Sequence, residues 1–405
     1  MAAARHGMEW LGQLKAAQLH QLAVALGCAC SGSKAIVADG ILEALTCTTS
    51  SDSVPALDSA ASRSGKNGRQ LSIVSIDMGI QNLAYAHLLL DPQPSNTISK
   101  KKAQDSDHGK QLPILRAWER LNVFPTPPAS QDEPVRKPAR KSAKLPAAAA
   151  AAAAYSPSRY ANAAHHFITK ILAQCNPTHI LIEQQRFRSG GGPAVAEWTL
   201  RVGVFEGMLH AILRTLREER KQQQQQRQCR LEDVVSIDPA RSARFWLEGG
   251  YALDGQRVAG GGGGGGGKMT GREGKQAKID LVGKSFLHLE SPDNSSSMIE
   301  PGSAQVRAMQ LAFLQRWAAT SKAAKALRAD GMILIPPTRE EGATTTTTPT
   351  QPLQKLDDLA DCLLQALAWL RWQRMRDLVP RDCDGRGDDA LAAVRRRLDE
   401  IGRAD

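Results

Sequence analysis

The chain of 405 residues carries 52 Lys and Arg against 41 Asp and Glu, a formal charge of +11 at neutral pH with a pI of about 9.4. That length suits one large domain plus a small one, and the basic balance favours a polyanionic partner, nucleic acid above all. Seven scattered cysteines without a CxxC pair argue against a zinc site, and no apolar run reaches the roughly 20 residues of a membrane span. The partner expected is therefore a nucleic acid, with no membrane and no small-molecule substrate.

The opening MAAARHGMEW holds one Arg and no apolar core of signal-peptide length, which speaks against secretion; Glu9 and an immediate helical pattern speak against a mitochondrial presequence. Met8–Leu45 contains two helical patterns. The first covers Leu14–Leu26, Gly27 supplies the left-handed residue that ends it, and Ser33-Lys34 starts the second, which carries Ile36, Val37, Ile41, Leu42 and Leu45. These residues resemble a SAP module, a small helical DNA-binding hairpin, placed at 8–46. Lys34 at a helix N-terminus is positioned to meet a phosphate. A generic hairpin for protein contacts is the alternative.

Beyond a linker at 47–70, Leu71–Leu90 is an apolar run interrupted at Asp77–Asn82, the pattern of two strands joined by a tight turn. Gln111–Val123 supplies a third strand, and Tyr155–Cys175 has a helical period. His179–Glu183 is a short strand apolar on both faces, Pro193–Leu216 a long helix after a glycine turn, and Val234–Ile237 another short strand. Gln276–Leu289 and Ala304–Arg328 read as helices, and the last core element runs from about Leu356 to Met375. Strands alternating with helices predict an α/β core over 71–378. Low-complexity inserts near 91–111, 125–154, 255–272 and 339–352, and a tail at 379–405, are expected at the surface, where added length costs little.

Three segments carry carboxylates in positions a plain core avoids. In SIVSIDMGIQNLAYAHLLL, Asp77 ends an apolar strand, where a buried charge costs several kcal/mol unless paired or bound to metal. Gly79 permits the turn. In THILIEQQRFRSGGG, Glu183 ends a strand in the same way, followed by Arg186 and Arg188. In KLDDLADCLLQALAWLRW, Asp358 and Asp361 are three apart and share a helix face. Each has a plainer account: a turn aspartate, a salt bridge, acids at the positive end of a helix dipole. Together they suit a hard divalent cation, Mg²⁺ or Mn²⁺. His165 and His166 read as surface or satisfied core groups, and Trp246, Trp369 and Trp372 as packing.

The segments SIDMGIQNLAY (75–85), IEQQRFRSGGGPAVAEWTLRVGVFEGMLHAIL (182–213), SIDPARSARFW (236–246), GKQAKIDLV (274–282) and KLDDLADCLLQAL (355–367) together resemble the fungal mitochondrial cruciform-cutting endonucleases, the eukaryotic branch of the RuvC-type resolvases in the RNase H-like superfamily. The resemblance implies an RNase H-like mixed sheet flanked by helices. It implies Mg²⁺- or Mn²⁺-dependent paired nicking of four-way DNA junctions by a homodimer, with 5′-phosphate products, in mitochondria, the nucleus being the alternative. Asp77, Glu183, Asp358 and Asp361 are then the catalytic metal ligands, Asp357 competing with Asp358. Lys34, Arg186, Arg188 and Arg201 are the candidate DNA contacts. Gln184 stands where the family more often has Arg. Gly203 and Gly207, four apart, leave a groove for a second helix or for ordinary packing on the sheet. The rival readings are an RNA-binding mitochondrial intron-splicing relative without cleavage, and an RNase H-like nuclease for RNA–DNA hybrids or flaps.

Overall fold

The computed structural model describes residues 10–47, 70–91, 112–124, 156–186, 193–222, 231, 233–248, 270–287, 299–329, 353 and 355–382. Its elements in chain order are α1 (Trp10–Gln13), α2 (Ala16–Leu26), α3 (Lys34–Cys47), β1 (Leu71–Asp77), β2 (Leu83–Leu90), β3 (Ile114–Leu121), α4 (Pro157–Cys175), β4 (His179–Glu183), α5 (Pro193–Gln222), β5 (Asp233–Ile237), α6 (Pro239–Leu247), α7 (Gly271–Ser285), β6 (Glu300–Pro301), α8 (Ala304–Thr320), α9 (Lys322–Ala329) and α10 (Asp357–Asp382). The strands form a mixed sheet in the order β5-β4-β1-β2-β3-β6. β1 to β3 are an antiparallel meander, while β4 and β5 join β1 in parallel. This is a six-stranded mixed sheet flanked by helices, as the resemblance implied.

Alternation along the strands divides the core. Val74 and Ile76 of β1 and Tyr85 of β2 pack with Phe167 and Ile171 of α4 and Phe205 and Leu209 of α5. Leu71 and Ile73, with Ala84, Ala86 and Leu88, face the other way, against Leu359, Leu363 and Leu367 of α10. Both sheet faces are covered, which is why β1 is buried at every position and β4 reads as apolar on both faces. α10 is itself buried along most of its length, between the sheet on one side and α2, α6 and α7 on the other.

The N-terminal hairpin joins that second core. Gly27 ends α2 at φ 68°, as expected. A Cβ there would lie 2.2 Å from the Trp372 ring, so the turn is seated directly on α10. Arg376 Nη2 donates to the Leu26 carbonyl at 2.8 Å and Arg241 Nη1 to that of Gly27 at 3.3 Å, satisfying acceptors the helix end leaves open.

Several boundaries differ from expectation. The stretch Ala304–Arg328 is two helices, because the Ser321 hydroxyl accepts from Ala323 N–H at 3.1 Å and so caps α9. α7 starts earlier, at a capping box of Thr270 with Glu273, and so takes in the end of the segment expected as an insert near 255–272. α5 and α10 run past their expected ends, and α6 starts at Asp238, whose carboxylate accepts from Ala240 N–H. The glycine and threonine tracts and Arg188 lie outside the described residues. His165 and His166 are exposed, and the three tryptophans are buried in packing.

Candidate active site

The acids meet at one end of the sheet. β1 and β4 run parallel with Ile76 opposite Ile182. Their last residues, Asp77 and Glu183, therefore emerge side by side. Glu183 also accepts from Met78 N–H at 3.4 Å. Burial pushes the Asp77 carboxyl well above its ordinary range, and Glu183, Asp361 and Asp358 reinforce the shift.

The helix acids project from the start of α10 toward the same end of the sheet. Asp358 is raised to about 6 by burial and by Asp357, with Lys355, Arg120 and Lys275 pulling the other way. Asp361 is raised by burial against the opposing Lys278, its ion-pair partner. Asp357 differs from both. Burial raises it, but Lys275 Nζ at 2.8 Å outweighs that and holds it below the ordinary range. Asp357 and Asp358, between which the sequence left the choice open, thus have different surroundings. Asp357 is committed to a lysine half open to solvent; Asp358 is the more strained acid, with Oδ2 buried and free of any hydrogen bond.

These residues suit a divalent cation by donor chemistry. They are hard carboxylate oxygens, three of them with raised pKa values, and one is an orphaned acceptor. Among the described residues, no three His, Cys, Asp or Glu side chains already converge as a closed cage. The reason is visible in the pairing: Asp361 is turned to Lys278 and Asp357 to Lys275.

Gln365 holds the two halves in register. It is one turn beyond Asp361 and buried, and its Nε2 donates to Ser75 Oγ at 3.1 Å and to the Ile76 carbonyl at 3.3 Å. Glu206 of α5 is a further acid beside the site. Its Oε2 accepts from Gln185 N–H at 3.0 Å, anchoring the chain just after Glu183, and burial raises its pKa. Gly79 makes the turn after β1 under tight constraint, since a Cβ there would lie 2.9 Å from the Asn82 carbonyl. Sequence reasoning missed Arg120, Lys275, Lys278, Glu206 and Gln365. The last two had a signal: a lone polar residue in an apolar helical run.

The expected DNA contacts are scattered. Arg186 is ion-paired with Asp238, and Arg201 with Glu197 on its own helix. Lys34 Nζ donates to the Gly12 carbonyl at 2.8 Å, away from the acids and inside the hairpin.

Comparison with known proteins gives a consistent result. A family model described as mitochondrial resolvase Ydc2 / RNA splicing MRS1 matches residues 73–379, about three-quarters of the chain. The mitochondrial cruciform cutting endonuclease 1 of Schizosaccharomyces pombe is 30% identical over 92 residues, which is 23% of this chain. That match spans 34% of the relative's own length. The crystal structure of the yeast mitochondrial Holliday junction resolvase Ydc2 aligns over 91% of this chain and 98% of that one, at 18% identity and a TM-score of 0.42.

Proposed function

Because the chain belongs to the mitochondrial resolvase Ydc2 / RNA splicing MRS1 family, we propose that it is a divalent-metal-dependent endonuclease that resolves four-way DNA junctions. The observation that supports this reading is the placement of Asp77 and Glu183, two strand-end acids, at the end of the sheet where Asp358 and Asp361 of one helix act on Asp77 through space. A purely structural cluster gains nothing from three acids held above their ordinary range. The family description also covers RNA splicing; the presence of every carboxylate favours the nuclease.

Asp77, Glu183, Asp358 and Asp361 would hold Mg²⁺ or Mn²⁺. A bound divalent ion supplies Lewis acidity and charge neutralisation at the phosphate. The chain's own part begins with Asp77, whose raised carboxyl must ionise to serve as a ligand beside Glu183. Asp361 leaves Lys278 and Asp358 presents its orphaned oxygen. Gln365 keeps α10 fixed against β1 while this happens. Hydrolysis adds water across the P–O3′ bond and leaves a 5′-phosphate and a 3′-hydroxyl.

Paired cutting needs a second site. The outer face of α5 exposes Leu200 and Val204 beside Gly203 and Gly207, where an added Cβ would meet nothing within 4 Å. A second copy of this helix fits that face, giving a homodimer on a four-way junction. Lys34, Arg186, Arg188 and Arg201 are the proposed phosphate contacts, and the hairpin over 8–46 is the proposed DNA-binding module. The mitochondrial relatives make the mitochondrion the proposed compartment.

The test is to incubate the protein with Mg²⁺ and end-labelled four-way junction, RNA–DNA hybrid or structured RNA. Paired symmetric nicks confined to the junction support resolution. Cutting of hybrid alone, or RNA binding without cutting, overturns it.

A further inference from the structure

The row of residues across the sheet at the active end is Asp77–Ala84–Arg120, paired in register from β1 through β2 to β3. All three side chains leave the sheet on the side of α10. Ala84 belongs to the core on that face, and Trp118, two residues before Arg120, donates its indole N–H to the Leu359 carbonyl at 3.0 Å. With adjacent strands about 4.8 Å apart, the Arg120 and Asp77 backbones are roughly 10 Å apart. Ala84 between them is small and buried, so no long side chain of β2 separates Asp77 from Arg120 on this face. A carboxylate and a guanidinium thus flank the same row, with Asp358 of α10 beside the guanidinium.

Arg120 is poorly served where it lies. Its Nη1 is 4.0 Å from Asp358 Oδ2, too far for a hydrogen bond. Both atoms are buried, and neither makes a hydrogen bond. A buried donor and a buried acceptor facing each other without bonding carry a desolvation cost that a structural ion pair would have closed. The neighbouring cations behave otherwise, since Lys275 and Lys278 are in direct contact with Asp357 and Asp361.

We propose that Arg120 is a catalytic residue that contacts a non-bridging oxygen of the scissile phosphate beside Asp358. The guanidinium fork matches a phosphate in shape and charge. An arginine aimed at a phosphate in a water-poor site stabilises the charge that develops on its oxygens during displacement. The inference rests on the nuclease reading above, and it gives the third strand a role in the chemistry.

The experiment compares the full chain with Arg120→Ala and Arg120→Lys. Single-turnover cutting of an end-labelled four-way junction is measured in Mg²⁺. Ca²⁺ binding to the DNA-free protein is measured by calorimetry, and junction affinity in Ca²⁺ by gel shift. R120A is expected to lower the cutting rate about 100-fold, keep junction affinity, and leave Ca²⁺ affinity unchanged or tighter, since a cation beside Asp358 has gone. R120K is expected to recover only part, because a point charge does not reproduce the fork. Cutting by R120A at the parent rate overturns the proposal. So does a fall in Ca²⁺ affinity in step with the rate, which would make Arg120 a positioning residue for Asp358. A parent protein that leaves the junction intact overturns the nuclease reading itself and this role with it. If R120A fails to melt cooperatively, Arg120→Gln, which keeps the stem and loses the charge, is judged by the same criteria.

Discussion

The strand half and the helix half of the acidic site solve one electrostatic problem in two ways. Asp77 and Glu183 lie side by side, neither ion-paired with a cation among the described residues, and burial with the neighbouring acids pushes the Asp77 carboxyl well above its ordinary range. Asp357, Asp358 and Asp361 each face a cation: Lys275, Arg120 and Lys278. The difference follows from where each pair is built. Two strand ends in a parallel ladder have no room for a long basic side chain between them, whereas the open end of α10 lies beside α7, whose Lys275 and Lys278 share one face. The strand pair is therefore the half without ion-pair partners among the described residues, and the helix acids are the half held by cations.

The sharpest way to break this comparison is Asp77→Asn. It is expected to reduce junction cutting by about 1000-fold or more while binding of the junction persists, since metal-held chemistry is lost and phosphate contacts remain. Retained cutting on a synthetic four-way junction removes Asp77 from the site. Next come the helix acids. Asp361→Asn and Asp358→Asn are expected to cost about 100-fold, whereas Asp357→Asn costs about 10-fold or less, as befits an outer partner. Equal losses at all three would erase the distinction drawn from Lys275.

Gln365→Leu tests whether the two halves need a common frame. Removing its hydrogen bonds leaves Ser75 and the Ile76 carbonyl unpaired, which costs about 1–3 kcal/mol of stability. A lower cutting rate at unchanged junction affinity is the expected kinetic signature; a melting shift without any kinetic change would make Gln365 structural only.

The smallest effect concerns stability without metal. A carboxyl whose folded pKa is raised favours the fold when protonated, so its stabilisation is present at low pH and lost as pH rises through the folded value. In EDTA, Asp77→Asn should therefore melt several degrees above the parent at pH 8. The gap should narrow on acidification through Asp358's value of about 6 toward the ordinary carboxylate range. His87 and His179, both lowered to about 4 by burial, lose stabilisation over the same range in both proteins and cancel in the comparison. A gap independent of pH would show that repulsion is not what Asp77 contributes.

Much of the fold was legible because its signals are local. The strand Leu71–Asp77 ends at the acid, His179–Glu183 was placed to the residue, and the Gly27 stop follows from its left-handed turn. The break at Ser321 was not legible, since a serine cap inside an apolar helical period carries no strong local mark. β6 is two residues long and leaves no periodicity. The hairpin illustrates a different limit. Its helices were readable, but nothing local announces that Arg376, some 350 positions later, caps its turn.

By itself the sequence determined which acids could matter: Asp77 and Glu183 from their places at the ends of apolar strands, Asp358 and Asp361 from their spacing on one helix. Those are consequences of period and burial, which neighbouring residues set. Only the tertiary structure decided how the acids differ. Charge pairing acts through space, so the difference between Asp357 and Asp358 depends on which one Lys275 reaches from α7. Arg120 had no mark in its own strand; its place beside Asp358 exists because β3 lies two strands from Asp77 and α10 crosses above both.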